Sequence, residues 1–232
     1  MTLKEDKKSV NNLVKKLHLK LWNPFRQSMF IMGKSQTGKT RTAKIITKVL
    51  ITSERPVIVF DPNCRWTEKR ESEIAFSPEN VIHNVADIHA KGLCIFQPNI
   101  DANSGQIEEW TEVHFEAFCK KVRSLFHVGN FVVMIDELHN FITTFSANKD
   151  FQIFVKNCHN FDVGYIAIMQ RMQEGIKAPF ANADHLIVFR LKYAGDLKMM
   201  KLTLGDVAER LFSISDTRIE KHNALYQNPD GD

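Results

Sequence analysis

Eight consecutive residues carry the sharpest chemical signal in the chain: Gly33, Lys34, Ser35, Gln36, Thr37, Gly38, Lys39 and Thr40. They match G-x-x-x-x-G-K-[ST] without deviation. At average residue usage, a chance match in a chain of this length is roughly one in a hundred. The pattern has a direct physical reading. Glycines let the backbone turn tightly and approach phosphate oxygens. Successive N–H groups and the start of a following helix then form a cup for anions. Lys39 is expected to reach the β- and γ-phosphates of ATP, and the Thr40 hydroxyl to ligate Mg2+. All eight residues are expected to line the nucleotide.

A second constellation complements the first. The run Phe131–Ile135 ends at Asp136 and Glu137. A carboxylate at that point, Asp136, is expected to hold Mg2+ through water. Glu137 can lean toward the γ-phosphate and act as general base on an attacking water. Gln170 closes a later apolar run, where a neutral amide can hydrogen-bond the γ-phosphate or the water. Asp61 closes another run and borders the same region. More than ninety residues, including at least one whole strand, lie between Lys39 and Asp136. The acidic strand therefore need not adjoin the phosphate-loop strand. The strand ending at Gln170 is the expected insertion between them.

These residues need a frame that brings them together. Residues 27–32, 56–60, 93–96, 131–135, 165–169 and 185–191 are short, continuously apolar runs and read as strands. Residues 40–52, 108–126, 150–157 and 195–212 have helical spacing. Apolar strands alternating with helices indicate an α/β fold: a mainly parallel sheet with helices on both faces, of the P-loop NTPase (RecA/ASCE-like) kind. In such sheets chemistry sits at the carboxyl ends of the strands. Residues 1–24 are Lys-rich, with Val10, Leu13, Leu17 and Leu21 at helical spacing, and read as a helical extension. The ATPase core is assigned to 25–213 and a tail to 214–232.

Composition removes other classes. The chain has 232 residues, is 44% hydrophobic and 25% charged, and carries a formal net charge of +4. That is an ordinary globular mix, not a disordered one. No run approaches the roughly 18 apolar residues a membrane-spanning helix needs. The N-terminus has no secretory apolar region. Cys64, Cys94, Cys119 and Cys158 form no CxxC pair, so neither a zinc knuckle nor a disulfide framework is indicated. Reduced thiols in a cytoplasmic protein are expected.

The order of these motifs resembles the FtsK/HerA superfamily of DNA-translocating ATPases. The phosphate loop is followed by VIVFDPN, then FVVMIDELHNF, then GYIAIMQRMQEGIKAPFANADHLIVFRL. Gln170-Arg171, Gly175-Ile176, Pro179 and Asn182-Ala183-Asp184 fall where the family has similar residues, and the resemblance covers about residues 25–193. It departs after Asp61-Pro62. Cys64 and Arg65 stand where the HerA branch often has Gly and Glu. This makes Arg65 a candidate arginine finger acting on a neighbouring subunit, with Arg171 and Arg190 as competitors. The chain is little more than a motor core, which is most like the genome-packaging ATPases of icosahedral viruses with an internal membrane. The resemblance implies an ATPase ring moving double-stranded DNA, in the host cytoplasm or on the virion, with capsid-vertex or inner-membrane proteins as partners. Residues 141–150 and 171–181, with Lys149, Arg171 and Lys177, are the expected pore loops. The alternatives are another translocase of this superfamily, a phage assembly ATPase, a nucleotide kinase and an ATP-switched binding module.

Overall fold

Alternation inside the apolar runs explains the architecture. In β1 (Ser28–Met32), Phe30 and Met32 join one hydrophobic cluster while Met29 and Ile31 join another. The same split divides Ile58 and Phe60 from Val57 and Val59 in β2 (Val57–Phe60). It divides Phe131, Val133 and Ile135 from Val132 and Met134 in β5 (Phe131–Ile135). Successive side chains point to opposite faces of a strand, so a run that is apolar throughout buries both faces.

The computed structural model describes residues 23–66, 74–75, 92–98, 104–142, 149–171, 180, 182–191, 194–205 and 224–227. The remaining strands are β3 (Ile74–Ala75), β4 (Leu93–Phe96), β6 (Val163–Met169), β7 (His185–Phe189) and β8 (Ala224–Gln227). One eight-stranded sheet runs in the order β3-β4-β2-β5-β6-β1-β7-β8. Every pairing in it is parallel except the last, in which β8 runs antiparallel to β7. The expected α/β fold is therefore present. So is the expected insertion: β6 lies between β5 and β1, paired in parallel with both.

Helices cover the two faces. α1 (Lys39–Thr52) places Ala43, Ile46 and Leu50 against the smaller, mostly aliphatic cluster. α2 (Glu112–Ser124) and α3 (Lys149–Asn157) cover the other face with Phe115, Phe118, Phe151 and Phe154. Phe60 is the hub there, with the rings of Trp110, Phe115, Phe118 and Phe141 centred 4.9–5.2 Å away. Edge and tilted contacts of this kind suit the ring quadrupoles, and each buried ring contributes about 1.5–3 kcal/mol through lost water contact. α4 (Ala194–Leu204) adds the buried Met200 to the same side.

Several boundaries differ from the sequence reading. The segment read as a helix over 108–126 becomes helical only at Glu112. Thr111 takes the N-cap position, and its N–H donates to His114 Nδ1 at 3.1 Å. β6 begins at Val163 rather than 165, because Gly164 lets the strand continue under the Pro24 carbonyl. Residues 224–227, read as part of a tail, form the edge strand β8. The expected N-terminal helix, most of the two expected pore loops and the end of the last expected helix lie outside the described residues. Among the described residues, no helix is long and apolar enough to cross a membrane. Cys94, Cys119 and Cys158 are buried free thiols, and Cys64 is a partly buried one.

Candidate nucleotide site

β1 delivers the phosphate loop. The Gly33 N–H donates to the Met169 carbonyl at 3.3 Å and the Lys34 N–H to the Arg190 carbonyl at 2.8 Å, so the loop leaves the sheet held between β6 and β7. Gly33 has φ +154°, and a Cβ there would lie 2.6 Å from Phe189 Cβ, a separation only glycine escapes. Gln36 (φ 63°) and Gly38 (φ 105°) complete the turn in left-handed conformations. Gly38 is the N-cap of α1, without a side-chain cap, and no acidic residue occupies the first helical turn. The first N–H groups of a helix have no intrahelical acceptor, and they carry the positive end of its dipole. The site is built to receive an anion.

The cationic centre of this cup is Lys39. Its side chain is buried, and its Nζ donates to the Lys34 carbonyl at 2.8 Å. Thr37 Oγ1 donates to the same carbonyl at 2.8 Å. Burial pushes the Lys39 ammonium down to about 8, against the pull of Glu137 and Asp136 and with a further push from Arg65. Ser35, Gln36, Gly38, Lys39, Thr40, Arg41 and Arg65 surround a cleft of about 470 Å3.

The opposite wall is made of strand ends. Asp136 follows β5, and its N–H continues the sheet by donating to the Phe60 carbonyl at 2.9 Å. Its carboxylate is 1% exposed. Oδ1 accepts the Glu137 N–H at 2.9 Å, and Oδ2 faces Trp66 Nε1 at 3.4 Å. Burial raises its pKa to about 7, helped by the charges of Glu137 and Asp61. Asp61, fully buried at the end of β2, uses Oδ2 to accept the Trp66 N–H and the Gln97 amide, each at 2.7 Å. Its Oδ1 is buried without a hydrogen-bond partner. A buried carboxyl oxygen without a donor has spare capacity for a cation or its water shell. No three His, Cys, Asp or Glu side chains among the described residues could hold a metal by themselves. Mg2+ is usually bound by one or two protein groups together with substrate phosphates and water, and Thr40 and Asp136 are the residues that could hold it.

Glu137 sits at φ 52°, and this left-handed turn brings its carboxylate back over the strand ends. It is 1% exposed and heavily engaged. Arg65 Nη1 donates to Oε1 at 2.5 Å. The Gln170 amide donates to Oε1 and Oε2 at 3.0 and 2.9 Å. His139 Nδ1 lies 3.4 Å from Oε2 and accepts the Gln170 N–H at 3.4 Å. Burial lowers the pKa of His139 against the pull of Glu137, so the ring crowds the carboxylate as a neutral wall.

The structure thus gathers Gly33–Thr40, Asp136, Glu137 and Gln170 into one place. The three candidate arginines separate. Arg65 lines the cleft of its own chain and pairs with its own Glu137. Arg190 lies at the root of the phosphate loop, its carbonyl holding the Lys34 N–H. Arg171 is exposed at the edge, one residue beyond Gln170. Sequence reasoning did not single out His139 or Trp66. The only signal for His139 is its place two residues after Glu137. For Trp66 it is an aromatic residue next to Arg65.

No family model matches the sequence, and no curated protein matches it. Solved structures do resemble the fold. The genome-packaging NTPase B204 from Sulfolobus turreted icosahedral virus 2, in complex with AMP, aligns with a TM-score of 0.67 at 14% identity over 89% of this chain and 94% of that one. The same protein with AMPPCP gives 0.66 and 15% over the same shares. B204, the DNA-packaging ATPase from Sulfolobus turreted icosahedral virus, gives 0.65 and 18% over 90% and 95%. At such identities the likeness is one of fold, and it extends over nearly the whole of both chains. The chain has the P-loop NTPase fold, in the arrangement that the B204 genome-packaging enzymes share.

Proposed function

We propose that this protein is an Mg-ATP-hydrolysing motor that moves double-stranded DNA, with viral genome packaging as its task. The observation that carries the reading is β6. This inserted strand brings Gln170 within hydrogen-bond reach of Glu137 beside the phosphate loop. A kinase-like site that only positions a phosphate has no need of that pairing.

In this reading Gly33–Thr40 hold the triphosphate on backbone N–H groups, with Lys39 on the β- and γ-phosphates. Thr40 and Asp136 would hold Mg2+, which would supply charge neutralisation at the phosphate oxygens. Glu137 accepts a proton from water as the water oxygen bonds to the γ-phosphorus. The bond from that phosphorus to the bridging oxygen breaks, and ADP carries off the electron pair. Gln170 reports whether the γ-phosphate is present. Chains assemble as a ring, and the exposed Arg171 is the candidate for completing a neighbour's site. DNA contacts are to phosphates, so binding is independent of sequence and sensitive to salt. Lys149, exposed at the start of α3, and Lys177 are candidates for such contacts. Capsid-vertex or inner-membrane proteins of the virion are the proposed docking partners, reached from the host cytoplasm.

The test is an ATPase assay with and without double-stranded DNA across a salt series. Stimulation by DNA that falls steeply as salt rises supports the motor. Turnover indifferent to DNA and salt, with phosphate passed to a small acceptor, would instead identify a kinase.

A further inference from the structure

One guanidinium serves both walls of the cleft. Arg65 stands among Ser35, Gln36, Gly38, Lys39 and Thr40, where phosphates would lie, and also pairs with Glu137. Its side chain is 43% exposed, whereas that of Glu137 is 1% exposed. The arginine has room to move, and the glutamate has little. While the pair is closed, Glu137 Oε1 receives both Arg65 and the Gln170 amide. Oε2 receives the amide and faces His139. Arg65 and Gln170 thus take both sites on Oε1 and one on Oε2, and His139 stands 3.4 Å from the side of Oε2 left to a water proton.

We infer that Arg65 is a two-position latch of its own chain's site. In the empty site it holds Glu137 shut. When a triphosphate enters, the terminal phosphate draws Arg65 away and frees Glu137. Two features of the cleft support this. Lys39 and Arg65 line the same cleft. Two cations bordering an open cleft are relieved by an anion placed between them. The planar guanidinium also fits carboxylate and phosphate alike, so the exchange keeps paired hydrogen bonds at both ends. A diphosphate stops short of the latch and leaves it closed. Arg65 therefore discriminates tri- from diphosphate and ties that discrimination to the readiness of Glu137. It does so without a second subunit.

The inference rests on the cleft being a nucleotide site, and the experiment separates the two. Equilibrium affinities for ATPγS and ADP, with Mg2+, are measured on the full chain and on K39A, R65A, R65K, E137Q and R65A/E137Q. K39A should lose both nucleotides; if it keeps both, the nucleotide site itself is refuted. R65A should weaken ATPγS about tenfold or more, the scale of one charge-assisted hydrogen bond, while ADP changes less than about twofold. R65K, which keeps the charge but not the fork, should fall between. E137Q should tighten ATPγS several-fold by releasing the arginine, and that gain should vanish in R65A/E137Q. Equal losses of both nucleotides on changing Arg65 overturn the latch. So does a gain from E137Q that survives undiminished without the arginine, because relief of glutamate–phosphate repulsion alone would then explain it. Should R65A fail to fold, R65K and R65K/E137Q carry the same cycle.

Discussion

The two walls of the cleft are prepared in opposite ways. The phosphate-loop wall is made of backbone. Its shape comes from Gly33, Gln36 and Gly38 in left-handed or near-forbidden conformations, and its donors are N–H groups at the start of α1. Its inward side chains are those of Thr37 and Lys39, both resting on the Lys34 carbonyl of their own loop. The carboxylate wall is made of side chains. Asp61, Asp136 and Glu137 are buried and sit among Trp66, Gln97, Arg65, Gln170 and His139. A wall of backbone donors can wait for a ligand at little cost, because its shape is fixed by the chain path. A wall of buried acids cannot stand unpaired in a low dielectric, so it must find partners in the empty state. Under the proposed latch, Arg65 is the partner of Glu137 that is given up when a triphosphate enters.

The contrast can be broken at several points. The largest effect is expected at Glu137. Glu137→Gln should lower turnover by about 10²–10⁴, the usual share of a general base, while ATPγS binding persists. Single-turnover hydrolysis beside equilibrium binding checks this, and normal hydrolysis would remove the base from this residue. On the other wall, Lys39→Ala should weaken nucleotide binding by about 10–100-fold, one or two charge-assisted hydrogen bonds, and abolish turnover with it.

The two walls should also impose opposite limbs on pH dependence. Lys39 has a pKa near 8 in the empty cup, and a phosphate favours the ammonium. Affinity for Mg-ATPγS should therefore fall as pH rises above about 8, because binding then takes up a proton. Asp136 has a pKa near 7, and Mg2+ favours the carboxylate. Affinity should fall as pH drops below about 7, because binding then releases a proton. Each limb can reach about tenfold per pH unit. Lys39→Arg should flatten the alkaline limb and Asp136→Asn the acid one; a profile unchanged by either would reject both assignments. The smallest effect is expected for Gln170→Ala on ADP. Its amide touches the carboxylate wall, so ADP affinity should stay within about twofold, the additivity expected of independent sites. A greater loss in a titration would mean that the walls do not act separately.

Much of this was legible in the sequence, for a physical reason. The phosphate loop is contiguous, so its eight residues reveal it without any knowledge of the fold. The inserted strand was legible because the distance from Lys39 to Asp136 left chain to spare, and GYIAIMQ ends in a polar residue where neighbouring strands do too. The engagement of Glu137 was not legible. Arg65 is 72 positions away from Glu137 and Gln170 is 33, and no spacing rule links them. The left-handed turn at Glu137 that brings them together has no glycine to announce it. Arg65 was accordingly read as reaching toward a neighbour. β8 escaped notice because four residues near the end of a polar segment give too short a pattern to count.

β6 gives the site a remote handle. At its tip is Gln170. Near its foot is Gly164, where an added Cβ would lie 1.7 Å from the Pro24 carbonyl. All seven residues of the strand are buried, and both its flanks are hydrogen-bonded, to β1 and to β5. Six residue steps of strand span about 20 Å. A single methyl group at the foot would thus jolt a stiff rod wedged between the phosphate-loop wall and the carboxylate wall. Changes in the entry turn around Pro24, far from any phosphate, would then surface as defects in the timing of hydrolysis.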